Sequence, residues 1–342
     1  YKSKHPKNDA AREKTHDGQS ERKREMVPVK KNTTAGAALL ALVVFLLLGG
    51  IMLLGHFGFL TDKRLGLDEN PYLAVVVLQL LIYAVPALFY CRIRGTAFRA
   101  RLRLTFTGPG QLLFLLYAAV FLICGSALAS VGMYSLFPNA FAAGGAETYT
   151  AFARNAGIFD GLYLVLAFAV LPAVTEEFLF RGILLAAYEN LGVSCAVLVT
   201  SVTFAMSHFS FARFPVYFFG GLVLCAVTYT TRSLPAAMLV HACHNAFVLF
   251  LEKYILHIAE KQSVSMVLFL MIAGFLTLTA GLLMSHEAAN LYAGYAERNL
   301  PAEYLTKKRP LFPTLAQSLF SPLYLTMVVI YVTATVVVTT GG

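Results

Sequence analysis

The sequence predicts an all-α, polytopic helical membrane protein with about eight or nine transmembrane helices. Three observations predict it. Of 342 residues, 58% are hydrophobic and only 13% charged, whereas a soluble globular chain carries about 25% charged residues. Mean hydropathy is +0.68. Apolar runs of about 20 residues recur along the chain, roughly double the 9–11 residues of a barrel strand. The net charge of +9 would suggest a nucleic-acid partner in a soluble protein. Here the basic residues gather beside the apolar runs, so they report topology and the expected partner is the bilayer, with no nucleic acid.

Residues 1–34 form a polar tail with ten Lys/Arg against five Asp/Glu, expected to be solvated and cytoplasmic. Nine apolar runs follow, at about 35–60, 72–91, 111–137, 158–187, 193–209, 214–231, 234–252, 263–285 and 319–339. Arg92, Arg94, Arg99, Arg101 and Arg103 lie between the second and third runs, a strong cytoplasmic-loop signal. With the tail also inside, the same register puts Lys307, Lys308 and Arg309 inside and the sparsely basic 61–71, 138–157 and 253–262 outside. This predicts a multi-pass protein of the plasma membrane with a cytoplasmic N-terminus. Segment 286–318 is polar and predicts an amphipathic interfacial helix. Cys91, Cys124, Cys195, Cys225 and Cys243 all fall in or beside apolar runs without a C-x-x-C pair, so neither a disulfide framework nor a zinc knuckle is implied. The organisation is therefore a tail (1–34), three N-terminal spans (35–157), a core (158–252) and a C-terminal set of spans with the amphipathic segment (253–342).

The core holds nearly all the intramembrane ionisable groups. Glu176 and Glu177 stand side by side in GLYLVLAFAVLPAVTEEFLFRGILLAA, residues 161–187. A charged side chain near the bilayer centre costs at least ~2.5–3.5 kcal/mol, so both must face protein or water. A carboxylate withdrawn from bulk water suits a general base near neutral pH. Four residues on, Arg181 shares a helical face with Glu177, while Glu176 points about 100° away. Pro172 just before them predicts a kink that frees backbone groups near the site. Phe204-x-x-x-His208 ends the next run, and His241-x-x-x-Asn245, with His244 beside it, lies in the seventh. Helical rise puts Glu176 ~21 Å and His208 ~27 Å from the turn near Asn190, and His241 ~14 Å past Arg232 on the same side. All three elements thus fall at compatible depths in one buried polar cavity.

Read singly, each element is bland. An adjacent Glu pair near a span end can snorkel, His208 alone reads as an interfacial histidine, and Phe204 as packing. His286-Glu287-Ala288-Ala289-Asn290 begins like a zinc-protease motif but ends in Asn, and reads as chance. Gly192-Val193-Ser194-Cys195 misses a serine-protease G-x-S-G by one residue.

Together, E-E-x-x-x-R, F-x-x-x-H and H-x-x-x-N in order within about 70 residues resemble the CAAX-protease and bacteriocin-processing (CPBP, Abi) family of intramembrane endopeptidases, over roughly 158–252. The resemblance implies hydrolysis of a peptide bond in a peptide or membrane-protein substrate. It makes Glu176 the general base, and gives His208 a part in holding the attacking water. His241 and Asn245 would stabilise the oxyanion, and Glu177, Arg181, Phe204 and His244 would orient and pack the site. Zinc on Glu176, His208 and His241 is one option it leaves open; a metal-free site is the other. Substrate and oligomeric state are not legible. Two rivals stay compatible with the sequence: a non-catalytic peptide-binding or bacteriocin-immunity protein using the same cavity, and a proton-coupled transporter.

Overall fold

The computed structural model describes residues 33–57, 71–99, 101–142, 158–261, 263–300 and 309–340. Nearly all of the basic tail, most of the segment between the first two runs, residues 143–157 and the basic pair Lys307 and Lys308 lie outside the described residues. Within them every regular element is helical: α1 (Thr33–His56), α2 (Pro71–Gln79), α3 (Val85–Arg94), α4 (Thr96–Arg99), α5 (Leu112–Leu136), α6 (Pro138–Ala142), α7 (Ile158–Val165), α8 (Leu171–Glu177), α9 (Leu185–Tyr188), α10 (Val193–Met206), α11 (Phe214–Thr231), α12 (Leu234–Lys261), α13 (Val264–Glu297), α14 (Leu311–Leu319) and α15 (Pro322–Thr340). Helices satisfy every backbone donor and acceptor internally, which the hydrocarbon layer demands. Eight helical stretches among the described residues are long and apolar enough to cross a membrane. The chain is an integral, multi-pass membrane protein.

Two expectations shift. The fifth run, expected at 193–209, yields only the 14-residue α10, ~21 Å long at 1.5 Å per residue against a hydrocarbon core of ~30 Å. Its last turn is closed by side chains. Ser207 Oγ donates to the Phe204 carbonyl at 2.7 Å, and His208 Nδ1 lies 2.9 Å from the same oxygen. These bonds take a carbonyl that continued helix would use, and Phe209 then adopts φ +47°. The polar segment 286–318 also divides: α13 continues unbroken to Glu297, and among the described residues the nine-residue α14 stands as a separate helix before α15.

Two spans are interrupted by wider, π-type turns. Leu80–Ala84 joins α2 to α3 just before Pro86, and Leu166–Val170 joins α7 to α8 just before Pro172. A proline has no N–H to offer and its ring crowds the carbonyl four residues earlier. Those carbonyls belong to Ile82 and Phe168, inside the two widened turns. A third such turn, Phe178–Leu184, holds Arg181 and joins α8 to α9 without a proline.

Lipid is as apolar as leucine, so association rests on close packing of small residues and buried polar contacts. Ala37, Ala41, Val44 and Phe45 of α1 pack into the same core as Leu179, Phe180, Ile183 and Leu184. Leucines such as Leu39, Leu46 and Leu88 remain on the outside. α11 lies along α10 through Gly221, where an added Cβ would stand 2.8 Å from Ser201 Cβ and 2.9 Å from its Cα. One end of the span that carries Glu176 and Glu177 is clamped by ion pairs: Glu189 accepts from Arg103 at 2.6 Å and Arg101 at 3.3 Å, while Arg101 also caps the Ala186 carbonyl at 2.7 Å.

Gly221→Ala forces backbone against backbone, because Ser201 Cα cannot rotate away. Overpacking of this kind costs about 1–3 kcal/mol. A thermal-unfolding series in detergent should show a Tm several degrees below wild type, and an unchanged Tm would refute the tight α10–α11 contact.

Candidate active site

The side chains of the three sequence elements meet around one aromatic ring. Phe204 stands on the last turn of α10. Arg181 lies over its face, with Cζ 4.4 Å from the ring centroid. The rings of Phe180, His208 and His241 meet it edge-on at 5.2, 4.9 and 5.7 Å. A guanidinium on an aromatic face in a desolvated site contributes up to ~2 kcal/mol. Phe204 therefore spaces the two histidines as well as packing the core.

Glu177 is the electrostatic centre. Its side chain is fully buried, and Oε1 accepts from Arg181 Nη1 at 2.6 Å and from His241 Nδ1 at 2.8 Å. The expected i,i+4 pair with Arg181 is present, and it extends to a third member from α12. Arg181 Nη2 donates to the Gly221 carbonyl at 3.2 Å, reaching the tight α10–α11 contact. Glu177 Oε2 and Arg181 Nε have no hydrogen-bond partner among the described residues.

Glu176 points the other way, as 3.6 residues per turn require. It is 8% exposed, and Oε1 accepts from Gln79 Nε2 at 3.2 Å. Gln79 also donates to Thr175 Oγ1 at 2.9 Å, and Thr175 donates to the Leu171 carbonyl. The adjacent carboxylates thus serve different partners: Glu177 the α12 histidine, Glu176 an amide from the end of α2. Among the described residues no hydrogen bond joins Glu176 to His208, His241 or Asn245.

Both histidine rings are oriented by their Nδ1 atoms. A backbone carbonyl only accepts, so His208 Nδ1 carries the proton in its 2.9 Å contact with Phe204 O, leaving Nε2 with its lone pair. The ring is also stacked on Tyr217, centroids 3.7 Å apart and 18° from parallel. His241 donates Nδ1–H to the Glu177 carboxylate in the same manner. Asn245, one turn along, points its amide at the Ala169 carbonyl, 3.4 Å away in the widened turn before Pro172. His244 is not in this group; it lines a neighbouring cavity.

Zinc on Glu176, His208 and His241 is not supported by this arrangement: among the described residues no three His, Cys, Asp or Glu side chains form a group that could hold a metal ion. Sequence reasoning missed Gln79, Tyr217 and Gly221. Gln79 carried a readable signal, being a lone amide inside LAVVVLQLLIYAV, where a polar side chain must face protein. Tyr217 and Gly221 had none, since each acts through a contact between helices.

Residues 158–247 match the family model described as type II CAAX prenyl endopeptidase Rce1-like. This stretch contains Glu176, Glu177, Arg181, Phe204, His208, His241 and Asn245, and is an Rce1-like type II CAAX prenyl endopeptidase domain of the CPBP/Abi kind. Neither a curated protein nor a solved structure matches the chain.

The buried ion pair and the peripheral amide should separate in stability measurements. Arg181→Ala strands the Glu177 charge and is expected to cost about 3–5 kcal/mol. Gln79→Leu removes one hydrogen bond to a carboxylate, about 1.5–3 kcal/mol. Denaturant titration in mixed micelles reads both, and equal losses would refute the central place given to Glu177.

Proposed function

We propose that the Rce1-like domain is an intramembrane endopeptidase that hydrolyses a peptide bond with water activated by Glu176 and His208. The observation that carries this reading is the orientation of the two histidines. Each gives Nδ1–H to a fixed acceptor, Phe204 O or Glu177 Oε1, and so presents Nε2 for chemistry.

In the proposed step a water donates one hydrogen to Glu176 and the other to His208 Nε2. Its oxygen attacks the scissile carbonyl carbon as Glu176 takes the proton. The carbonyl becomes an oxyanion that needs donors already in place. Asn245 Nδ2 has a second hydrogen beyond the one directed at Ala169. His241 acts as imidazolium, giving Nε2–H to the oxyanion while Glu177 holds Nδ1–H and balances the charge. Collapse of the intermediate breaks the C–N bond. The proton held by Glu176 passes to the leaving amine, the second water hydrogen stays on the new carboxyl group, and the carboxylic acid and amine so formed exchange that proton to end as carboxylate and ammonium. No part of this route passes through a metal, because the candidate ligands do not converge.

The substrate class is a peptide or membrane-anchored protein delivered within the bilayer. The arginine run 92–103 supports an orientation with the N-terminus in the cytoplasm.

Glu176→Gln keeps the shape and the Gln79 contact but removes the base. Cleavage of a peptide library by purified protein, read by mass spectrometry, should fall by about 10²–10⁴-fold with the Tm unchanged. Retained cleavage by a folded Glu176→Gln protein would exclude the mechanism. Cleavage by wild type is expected to survive a chelator, and loss restored by zinc would overturn the metal-free route.

A further inference from the structure

Beside Tyr217 lies a small cavity, of about 30 Å³, that the mechanism does not use. Ser126 and Ser130 of α5, Arg213 and Tyr217 at the start of α11, and His244 and Glu252 of α12 line it. Arg213 and Glu252 are a buried pair, with Nη1 3.0 and 3.3 Å from the two carboxylate oxygens. Arg213 Nε donates to the Phe141 carbonyl at 3.3 Å, and its Cζ lies 4.1 Å from the Phe141 ring centroid.

Three lining residues each bring a buried polar atom without a hydrogen-bond partner among the described residues: Ser126 Oγ, Arg213 Nη2 and His244 Nε2. Ser126 and Arg213 are only 3% and 6% exposed. Buried polar atoms of native proteins are satisfied by protein or by ordered water. Roughly 10–15 Å³ of such space admits one water, so this cavity admits about two. The serine, arginine, histidine and glutamate side chains in its otherwise apolar wall separate it from an adjoining groove lined by Cys124, Phe269 and Leu276 among others. Ala127, Phe247 and Ile255 form the wall common to both.

The cavity adjoins the reacting groups twice. Tyr217, which lines it, is stacked on His208, and His244, which lines it, is three residues from His241 on α12. We infer that this cavity is a water chamber, held open by Ser126, Arg213 and His244, that supplies the hydrolytic water to His208 and Glu176 past Tyr217. The supply half of the inference rests on the peptidase reading; the hydration half does not. An anion is disfavoured as occupant because Glu252 already neutralises Arg213.

X-ray radiolysis of the full-length protein in detergent tests it, since hydroxyl radicals made from bound water label the side chains beside it. Tyr217 and His244 should label several-fold faster than Phe114, which is buried in an apolar cluster. Ser126→Leu and, independently, Ser130→Leu fill the chamber. Each should suppress that labelling and lower kcat at least tenfold at unchanged KM. Labelling of Tyr217 and His244 no faster than Phe114 would overturn the chamber, whatever the activity. Suppressed labelling with unchanged kcat would overturn the supply role. A wild type that labels but cleaves nothing would leave the chamber standing and remove the peptidase reading, with the supply role that rests on it. If one leucine variant fails to fold, the wild-type footprint and the other variant carry the test.

Discussion

The shared carboxylate of Glu177 is the constraint on which the domain depends. A fully buried guanidinium is tolerable only where its charge is matched and most of its donors find acceptors. Arg181 meets that demand through Glu177 Oε1, the Gly221 carbonyl and the face of Phe204. Those three contacts come from α8, α11 and α10, so the cost of burying one charge fixes three helices relative to one another. His241 joins from α12 through the same oxygen. The E-E-x-x-x-R spacing is thus a structural requirement before it is a chemical one: four residues put the arginine on the glutamate one turn away.

The neighbouring carboxylate is freed by the same geometry. One residue of helix rotates Glu176 by about 100°, out of reach of Arg181 and towards Gln79. The widened turns on both spans serve this. Leu80–Ala84 begins at the residue after Gln79, and Leu166–Val170 ends just before α8 begins. π-type turns recur at functional sites because the extra residue re-aims side chains beyond it and exposes a carbonyl. Ala169 O, engaged by Asn245, lies in one of them. Pro86 and Pro172 are the local cause, so a feature of the primary sequence sets the direction of groups a turn away.

Much of this was legible from the chain alone, and the limits of legibility have physical causes. Periodic, local features could be read: the apolar runs, the i,i+4 pairing of Glu177 with Arg181, and a disturbance of the helix at Pro172, which takes the form of the widened turn Leu166–Val170. α10 is the instructive exception. Its run is apolar through Phe209, but Ser207 and His208 turn their side chains onto the Phe204 carbonyl and end the helix early, a competition that hydropathy does not register. Long-range partnerships were opaque. Arg213 and Glu252 are 39 residues apart on different helices, and nothing in either segment names the other. Arg101 and Arg103 reported membrane orientation in the sequence, yet in the fold they also clamp Glu189. A single residue here answers to two constraints, and only one of them leaves a local signature.

A charged site inside a bilayer sets two demands that oppose each other: charge must be admitted, and the surrounding helices must stay packed without a hydrophobic driving force between them. The arrangement around Phe204 reconciles them by giving the polar groups the task of packing. Glu177, Arg181 and His241 hold the helices together through bonds that would be weak in water and are strong when desolvated. Because those bonds use the Nδ1 side of His241 and one oxygen of Glu177, they leave Glu176 outside the charge network, with Gln79 as its partner. Stability and reactivity are drawn from different atoms of the same few residues. That division explains why the site is built on the adjacent pair Glu176 and Glu177, in which helical rotation sends one member into the charge network and the other towards a separate set of partners.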